Sequence, residues 1–136
     1  MAKIQKFDPG WEWARSWPIS QAVRCGDFVF LAGQVALDGD GNVAGKDLGE
    51  QSRAVFKNIK TLLGLAGAQL TDIVKMTTYF TGNVEDAAER EKFFKARREY
   101  LGDHHPASTG IRVAGLAMEG LLLEIDVVAY APQGSG

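Results

Sequence analysis

The stretch Leu121-Leu-Leu-Glu-Ile-Asp-Val-Val-Ala-Tyr-Ala131 decides the fold of this chain. Alternate positions from Leu121 onward are apolar, as expected of a β-strand that packs one face against a core. The intervening positions are also mostly apolar, but they include the carboxylates of Glu124 and Asp126. The strand therefore predicts a sheet with two faces that both need cover, one of them around two acidic side chains.

The sequence before this strand alternates strand patterns with two helical patterns. The predicted elements are strands at about 19–24 and 28–37, a helix at 48–66, a strand at 72–81, a helix from the N-cap Asn83 to about 101, and strands at 107–116 and 121–131. We expect the last two strands to form a hairpin centred near Met118. This order, β-β-α-β-α-β-β, predicts an α+β sandwich with one sheet and both helices on one face.

Composition narrows the class of protein. The 136 residues are 46% hydrophobic and 24% charged, which is typical of one globular domain, here expected at 1–131 with a flexible tail at 132–136. The net charge of −2 disfavours nucleic-acid binding as the function. A single cysteine, Cys25, favours a reducing compartment. The sequence shows no apolar leader pattern and no membrane-length apolar run, so we expect a cytoplasmic protein with no membrane partner.

The second sheet face predicts an oligomer. The chain supplies helices for only one face, so we expect other copies of the chain to cover the face that carries Glu124. Three tryptophans, Trp11, Trp13 and Trp17, precede the first predicted strand. They are either a flap over one edge of the core or the rim of a ligand or subunit contact.

Two interpretations are open for Glu124 from its spacing alone. Glu124 and Asp126 project to the same side, roughly 6.6 Å apart along the strand. In the predicted hairpin Arg112 stands opposite Glu124, and the two would form an ordinary cross-strand ion pair. Alternatively, one carboxylate holds a water molecule in a cleft between subunits. His104 and His105 have no third ligand at suitable spacing, so we expect no metal site.

Five segments carry a resemblance to a known family: Pro18-Ile-Ser-Gln-Ala-Val23, Phe30-Leu-Ala-Gly-Gln-Val35, Asp72-Ile-Val-Lys-Met-Thr-Thr-Tyr-Phe80, Pro106-Ala-Ser-Thr-Gly-Ile-Arg-Val113 and Leu123-Glu-Ile-Asp-Val-Val-Ala129. In order and spacing they resemble the Rid family, also called YjgF/L-PSP or reactive intermediate deaminases. The resemblance extends from about Phe7 to Ala131. It implies a chorismate-mutase-like fold and a homotrimer, in which the sheets line a central barrel and three pockets lie at the subunit interfaces.

The resemblance also implies an activity that needs no cofactor and no metal. Deaminase members of the family hydrolyse 2-imino or 2-enamino acids, released by PLP enzymes, to 2-keto acids and ammonia. An arginine binds the substrate carboxylate, and a glutamate positions the attacking water. In this sequence Glu124 matches that glutamate, and Gly33 matches the glycine whose backbone faces the pocket.

Four other pocket positions depart from the deaminase pattern. Ile19 replaces a tyrosine and Arg90 an asparagine, while Ser108 replaces the carboxylate-binding arginine and Gly110 a cysteine. Two hypotheses follow for the substrate-binding residues. Either Arg90 replaces the missing arginine from the opposite wall, or the pocket takes another ligand and hydrolysis of standard 2-imino acids is lost.

Three functions are consistent with these residues. The first is an imine or enamine deaminase, with Glu124 positioning water and an imine, enamine or keto acid as ligand. The second is a non-catalytic metabolite-binding or regulatory trimer, which the serine at position 108 favours. The third is an L-PSP-type endoribonuclease, which the net charge of −2 disfavours. If Arg112 pairs with Glu124, we expect it to lower the pKa of Glu124 and leave a weak base.

Overall fold

Two helices pack against one mixed, seven-stranded sheet in the computed structural model, which describes residues 3–133. The helices are Leu48–Leu65 (α1) and Ala87–Leu101 (α2). The strands are Ile4–Phe7 (β1), Ala22–Cys25 (β2), Phe28–Leu31 (β3), Gln34–Val35 (β4), Ile73–Phe80 (β5), Ala107–Arg112 (β6) and Leu123–Tyr130 (β7). Their order in the sheet is β1-β2-β3-β7-β5-β6, with β4 paired to β7. The predicted α+β fold, with both helices on one sheet, is confirmed.

Helix α1 is specified by local sequence signals. The Asp47 side chain accepts a hydrogen bond from the Glu50 backbone N–H at 2.8 Å, and the Glu50 carboxylate accepts one from the Lys46 N–H at 2.7 Å. Both bonds satisfy donors that the start of a helix leaves without partners. Apolar residues that recur with the helical period along this helix are buried in the core: Val55, Ile59, Leu62, Leu63 and Ala66.

Strand β7 lies inside the sheet and separates two different environments. Its alternate residues Leu123, Ile125, Val127 and Ala129 are at most 1% exposed, because the helices cover that face. The other face, which we call the open face, carries Glu124, Asp126 and Tyr130 from β7, and neither helix packs on it. It includes large apolar groups at Phe28, Phe30 and Tyr130, which are 43–45% exposed.

The predicted C-terminal hairpin is wrong. Strand β6 pairs with β5 in parallel, and β5 pairs with β7 antiparallel, so β5 lies between the two strands expected to be neighbours. Helix α2 is the crossover that parallel strands require. Tyr79 on β5, rather than Arg112, stands opposite Glu124. Arg112 instead forms an ion pair with Glu85.

Other strands and the start of α2 also differ from the predictions. The predicted strand 28–37 is broken at Gly33 into β3 and β4, and an additional edge strand, β1, precedes the tryptophans. Helix α2 begins later than expected, because Asp86 rather than Asn83 is the N-cap and accepts from the Ala88 N–H at 3.0 Å.

The predicted tail at 132–136 falls mostly outside the described residues. Between residues 3 and 133, neither helix has the length and apolar character to cross a membrane.

Arg24 ties three elements together inside the core. It is 2% exposed, and its guanidinium donates to the carbonyls of Ala66 at 3.0 Å, Gly26 at 3.0 Å and Ala131 at 2.8 Å. These carbonyls belong to the end of α1, the β2–β3 turn and the residue after β7. A buried cation is tolerated here because three hydrogen bonds and the negative end of a helix dipole offset its desolvation.

Candidate functional site

Glu124 projects from the open face of β7 against the backbone of Gly33. A Cβ atom added at Gly33 would lie 2.3 Å from Glu124 Oε2, so no larger residue fits without moving the carboxylate. The two residues line a cavity of about 200 Å³ that we call the glutamate pocket. Ile19, another predicted site residue, also lines this pocket. Further lining residues are Trp13, Trp17, Gln34, Ala117, Met118 and Leu121.

The segment around Gly33 is held in place by buried amides. The Gln34 side chain donates to Gln21 Oε1 at 2.8 Å and to the Ala32 carbonyl at 3.0 Å. Asn58 on α1 donates to the Val35 and Leu37 carbonyls at 3.3 and 3.0 Å. Gly33 is therefore presented to Glu124 by a backbone fixed to the core on both sides.

The pKa of Glu124 shifts in the direction opposite to the one predicted from the sequence. Partial burial raises the pKa of the Glu124 carboxyl above its ordinary value, and the negative charge of nearby Asp126 raises it further. The expected lowering by Arg112 is wrong, because the β5–β6 pairing takes that cation to Glu85. Glu124 is consequently a stronger base than an exposed glutamate.

The tryptophans form one cluster beside the glutamate pocket. The rings of Trp11 and Trp13 stack with centroids 5.9 Å apart, and Trp17 meets Trp13 edge-on at 5.7 Å. Trp11 packs against the core, whereas Trp13 and Trp17 line the pocket. Trp11 therefore fits the interpretation as a flap over the core edge, while Trp13 and Trp17 border the cavity in which a ligand contact would lie.

The other three predicted site residues line a second cavity. Arg90, Ser108 and Gly110 border a space of about 330 Å³ between α2 and β6 that we call the arginine pocket. Arg90 Nη1 donates to the backbone carbonyls of Val84 at 2.8 Å and Glu85 at 3.3 Å. Other lining residues are Thr78, Phe80, Val84, Phe93, Phe94, Arg97, Thr109, Ile111 and Arg112.

Sequence reasoning missed Arg97 as a member of this pocket. Its Nη2 donates to Ser108 Oγ at 2.8 Å, and Ser108 Oγ in turn donates to the Pro106 carbonyl at 2.8 Å. Partial burial lowers the pKa of the Arg97 guanidinium from its ordinary value. The sequence did hold a signal, because Arg97 follows Arg90 by seven residues and so lies on the same face of a helix.

The two pockets lie on opposite faces of the sheet. Ser108 is in register with Met76, whose side chain is buried on the helix side, whereas Glu124 is in register with Tyr79 on the open face. Successive residues of β5 point to opposite sides. A single chain therefore does not bring Glu124 together with Arg90, Ser108 or Gly110.

No cluster suited to a metal occurs within the described part of the chain, where His, Cys, Asp and Glu form no group of three or more. The His104 ring Nε2 lies 2.7 Å from the Ile73 carbonyl and links the loop before β6 to the start of β5.

Known proteins match almost all of the chain. Residues 14–131 match the family profile described as Endoribonuclease L-PSP. A RutC family protein of Pyrococcus abyssi is 37% identical over 114 residues, covering 83% of this chain and 86% of its own length. A 2-iminobutanoate/2-iminopropanoate deaminase of Salmonella typhimurium is 30% identical over 115 residues, covering 82% and 86%. The crystal structure of a YjgF-family protein from Mycobacterium tuberculosis has a TM-score of 0.80 at 29% identity, covering 95% of this chain and 100% of that chain.

Proposed function

Because this chain belongs to the Endoribonuclease L-PSP family, also called the Rid or YjgF family, we propose that it hydrolyses the C=N bond of a small imine or its enamine tautomer. The observation that carries the proposal is Glu124, a half-buried carboxylate with a raised pKa, packed on the Gly33 backbone in a largely apolar pocket. The Salmonella relative, a 2-iminobutanoate/2-iminopropanoate deaminase, supports this reaction class.

The chemistry requires one group that both accepts and returns a proton. Glu124 takes a proton from water as the water oxygen attacks the imine carbon, which gives a carbinolamine. Starting from the protonated imine, Glu124 returns this proton to the carbinolamine nitrogen, the C–N bond breaks as the Glu124 carboxylate takes the hydroxyl proton, and the products are a carbonyl compound and ammonia. A carboxyl with a raised pKa suits this cycle, because its two protonation states lie closer in free energy at neutral pH.

We also propose that the working unit is a homotrimer with pockets between subunits. The exposed aromatic groups of the open face, with Phe28 and Tyr130 rings 5.2 Å apart, give copies of the chain an apolar surface to bury. The separation of the two pockets supports the same assembly. A neighbouring copy can set its arginine pocket beside this chain's Glu124, which one chain alone cannot do.

A coupled assay tests the reaction. A PLP-dependent dehydratase releases 2-iminobutanoate, and 2-oxobutanoate formation is followed with and without the protein. We expect clear acceleration over hydrolysis in buffer, and a loss of roughly 10²-fold or more in Glu124→Gln, the typical effect of removing a general base. The control is Glu91→Gln, which makes the same chemical change at an exposed position on α2 and should retain full activity. No acceleration by the wild-type protein would contradict a 2-imino acid deaminase.

A metabolite-binding trimer is the second candidate function. Ser108 favours it, because a serine cannot supply the bidentate contact of an arginine to a carboxylate. In that case a short 2-oxo acid should raise the melting temperature of the protein while the deaminase assay shows no turnover.

The family's description names a ribonuclease activity, which the pockets of this chain do not favour. RNA binding needs cations along a groove that follows several phosphates, whereas the glutamate pocket has no Lys or Arg among its described lining residues and two of the three arginines of the arginine pocket are engaged within the chain. The whole chain has a net charge of −2.

A further inference from the structure

Three guanidinium groups line the arginine pocket, and two of them are already engaged. Arg112 forms an ion pair with Glu85. Arg90 donates to the carbonyls of Val84 and Glu85, the residues just before α2. Both groups therefore hold the loop that closes one end of the pocket.

Arg97 differs from both, because among residues 3–133 it has neither a carboxylate partner nor a hydrogen bond to a backbone carbonyl. Its one side-chain hydrogen bond among residues 3–133 goes to Ser108 Oγ, which leaves four of its five N–H donors unused. The side chain is half-buried, and this burial lowers its pKa. A partly desolvated cation without a counter-charge gains a charge-assisted pair when an anion enters the pocket.

The walls of the pocket define the size and character of that anion. Aromatic rings surround the space, with Phe80 and Phe93 edge-on at 5.0 Å and Phe94 at 5.4 Å from Phe93. A cavity of about 330 Å³ admits a small molecule only. The occupant therefore has one planar anionic group and a short apolar part, as a small carboxylic acid has.

We propose that Arg97 binds the carboxylate of the substrate and that Ser108 orients its guanidinium. Ser108 can do this because its hydroxyl hydrogen is committed to the Pro106 carbonyl, so a lone pair of Oγ faces Arg97. The guanidinium thus reaches the end of the pocket near position 108 from helix α2 instead of from strand β6. This assignment rests on the proposed function for the identity of the acid, a 2-imino acid, and replaces Arg90 as the expected binding group.

Equilibrium binding separates this role from catalysis. Calorimetric titration with 2-oxobutanoate, the product acid, is compared with titration of its amide, 2-oxobutanamide. We expect Arg97→Ala to weaken binding of the acid at least 10-fold without changing binding of the amide, and Arg97→Lys to give an intermediate loss. The matched control is Arg98→Ala, the next residue on α2, whose side chain is exposed and pairs with Glu91. Equal binding of the acid by wild type and Arg97→Ala would overturn the proposal.

A second-site variant tests the geometry. Ser108→Arg in the Arg97→Ala background returns a guanidinium to the same end of the pocket, and we expect it to restore acid binding and to lower the raised KM. Failure of this rescue, in a variant whose circular dichroism matches the wild type, would contradict the shared position. The outcomes also separate the two proposals. Acid binding through Arg97 without turnover contradicts the deaminase alone, whereas turnover with an unchanged KM in Arg97→Ala contradicts this inference alone.

Discussion

The absence of a Cβ atom at Gly33 leaves the space that the Glu124 carboxylate occupies in the glutamate pocket. The clash that a Cβ at Gly33 would cause is with the end of a flexible side chain, so Gly33→Ala should displace the carboxylate rather than the backbone. We expect the free energy of unfolding to fall by less than about 1 kcal/mol while deaminase activity falls at least 10-fold. Urea unfolding and the coupled assay on the same preparation measure the two effects.

Gly64→Ala is the control for this substitution. Gly64 lies in α1 with no atom within 4 Å of an added Cβ, so alanine there should stabilise the helix by about 0.5–1 kcal/mol. Activity should not change. A Gly33→Ala protein with normal activity would mean that the position of the Glu124 carboxylate does not matter to the reaction.

Substitution of Asp126 tests the contribution of its charge to the pKa of Glu124. The Asp126 charge raises the pKa of Glu124, so Asp126→Asn should lower it. The general base must be ionised, and activity therefore rises with pH through that pKa. We expect the acid limb of the kcat/KM profile to move to lower pH in Asp126→Asn. The asparagine oxygen can still accept the Tyr79 hydroxyl, which lies 3.4 Å from Asp126 Oδ2, and an unshifted profile would assign the limb to another group.

At the scale of whole elements, Arg24 joins the end of α1 to the sheet. Arg24→Lys keeps the charge but loses the forked geometry that reaches three carbonyls, so buried acceptors are left without partners. We expect a loss of about 2–4 kcal/mol in the free energy of unfolding at fixed protein concentration. The same exchange at the exposed Arg98 should change it by less than about 0.5 kcal/mol. A similar small effect at both positions would show that solvent or another group satisfies the carbonyls.

The elements differ in how far local sequence specifies them. Helix α1 was predicted closely, because the Asp47 cap and the apolar period from Val55 are both local signals. The pairing of β6 was not, because the turn residues around Met118 look the same whether the flanking strands are neighbours or not. The parallel β5–α2–β6 connection is decided by packing across the sheet.

In the candidate site, too, residues marked by local sequence motifs were predicted and contacts that depend on packing were not. Glu124 and Gly33 were predicted by motif position and meet in the structure. Arg97 was missed, because a contact between α2 and β6 depends on how the helix lies over the sheet edge. The predicted direction of the Glu124 pKa shift was also wrong, because that prediction depended on a hairpin that does not form.

At the scale of the whole molecule, the open face should control assembly. Phe30 is 45% exposed in the middle of that face, next to Phe28. If the chain forms the proposed trimer through this face, we expect Phe30→Lys to abolish it, because a lysine on an apolar surface between subunits is costly to bury. Sedimentation velocity should show a species near the 14.7 kDa of one chain instead of three times that mass.

Leu65→Lys is the matched control for assembly. Leu65 is also 45% exposed, but it lies at the end of α1, on the helix side of the sheet. This variant should remain trimeric. A trimer that survives Phe30→Lys but not Leu65→Lys would place the subunit contact on the helices.

The placement of Glu124 and Ser108 on opposite faces of the sheet also predicts how subunits from different mutant alleles behave when they assemble together. In the proposed homotrimer, each pocket would take its glutamate wall from one subunit and its arginine wall from the next. A subunit defective in one wall inactivates one pocket, whereas a subunit defective in both walls inactivates two. A doubly defective allele is therefore the more dominant over a normal copy, and two alleles that each damage a different wall partly complement one another.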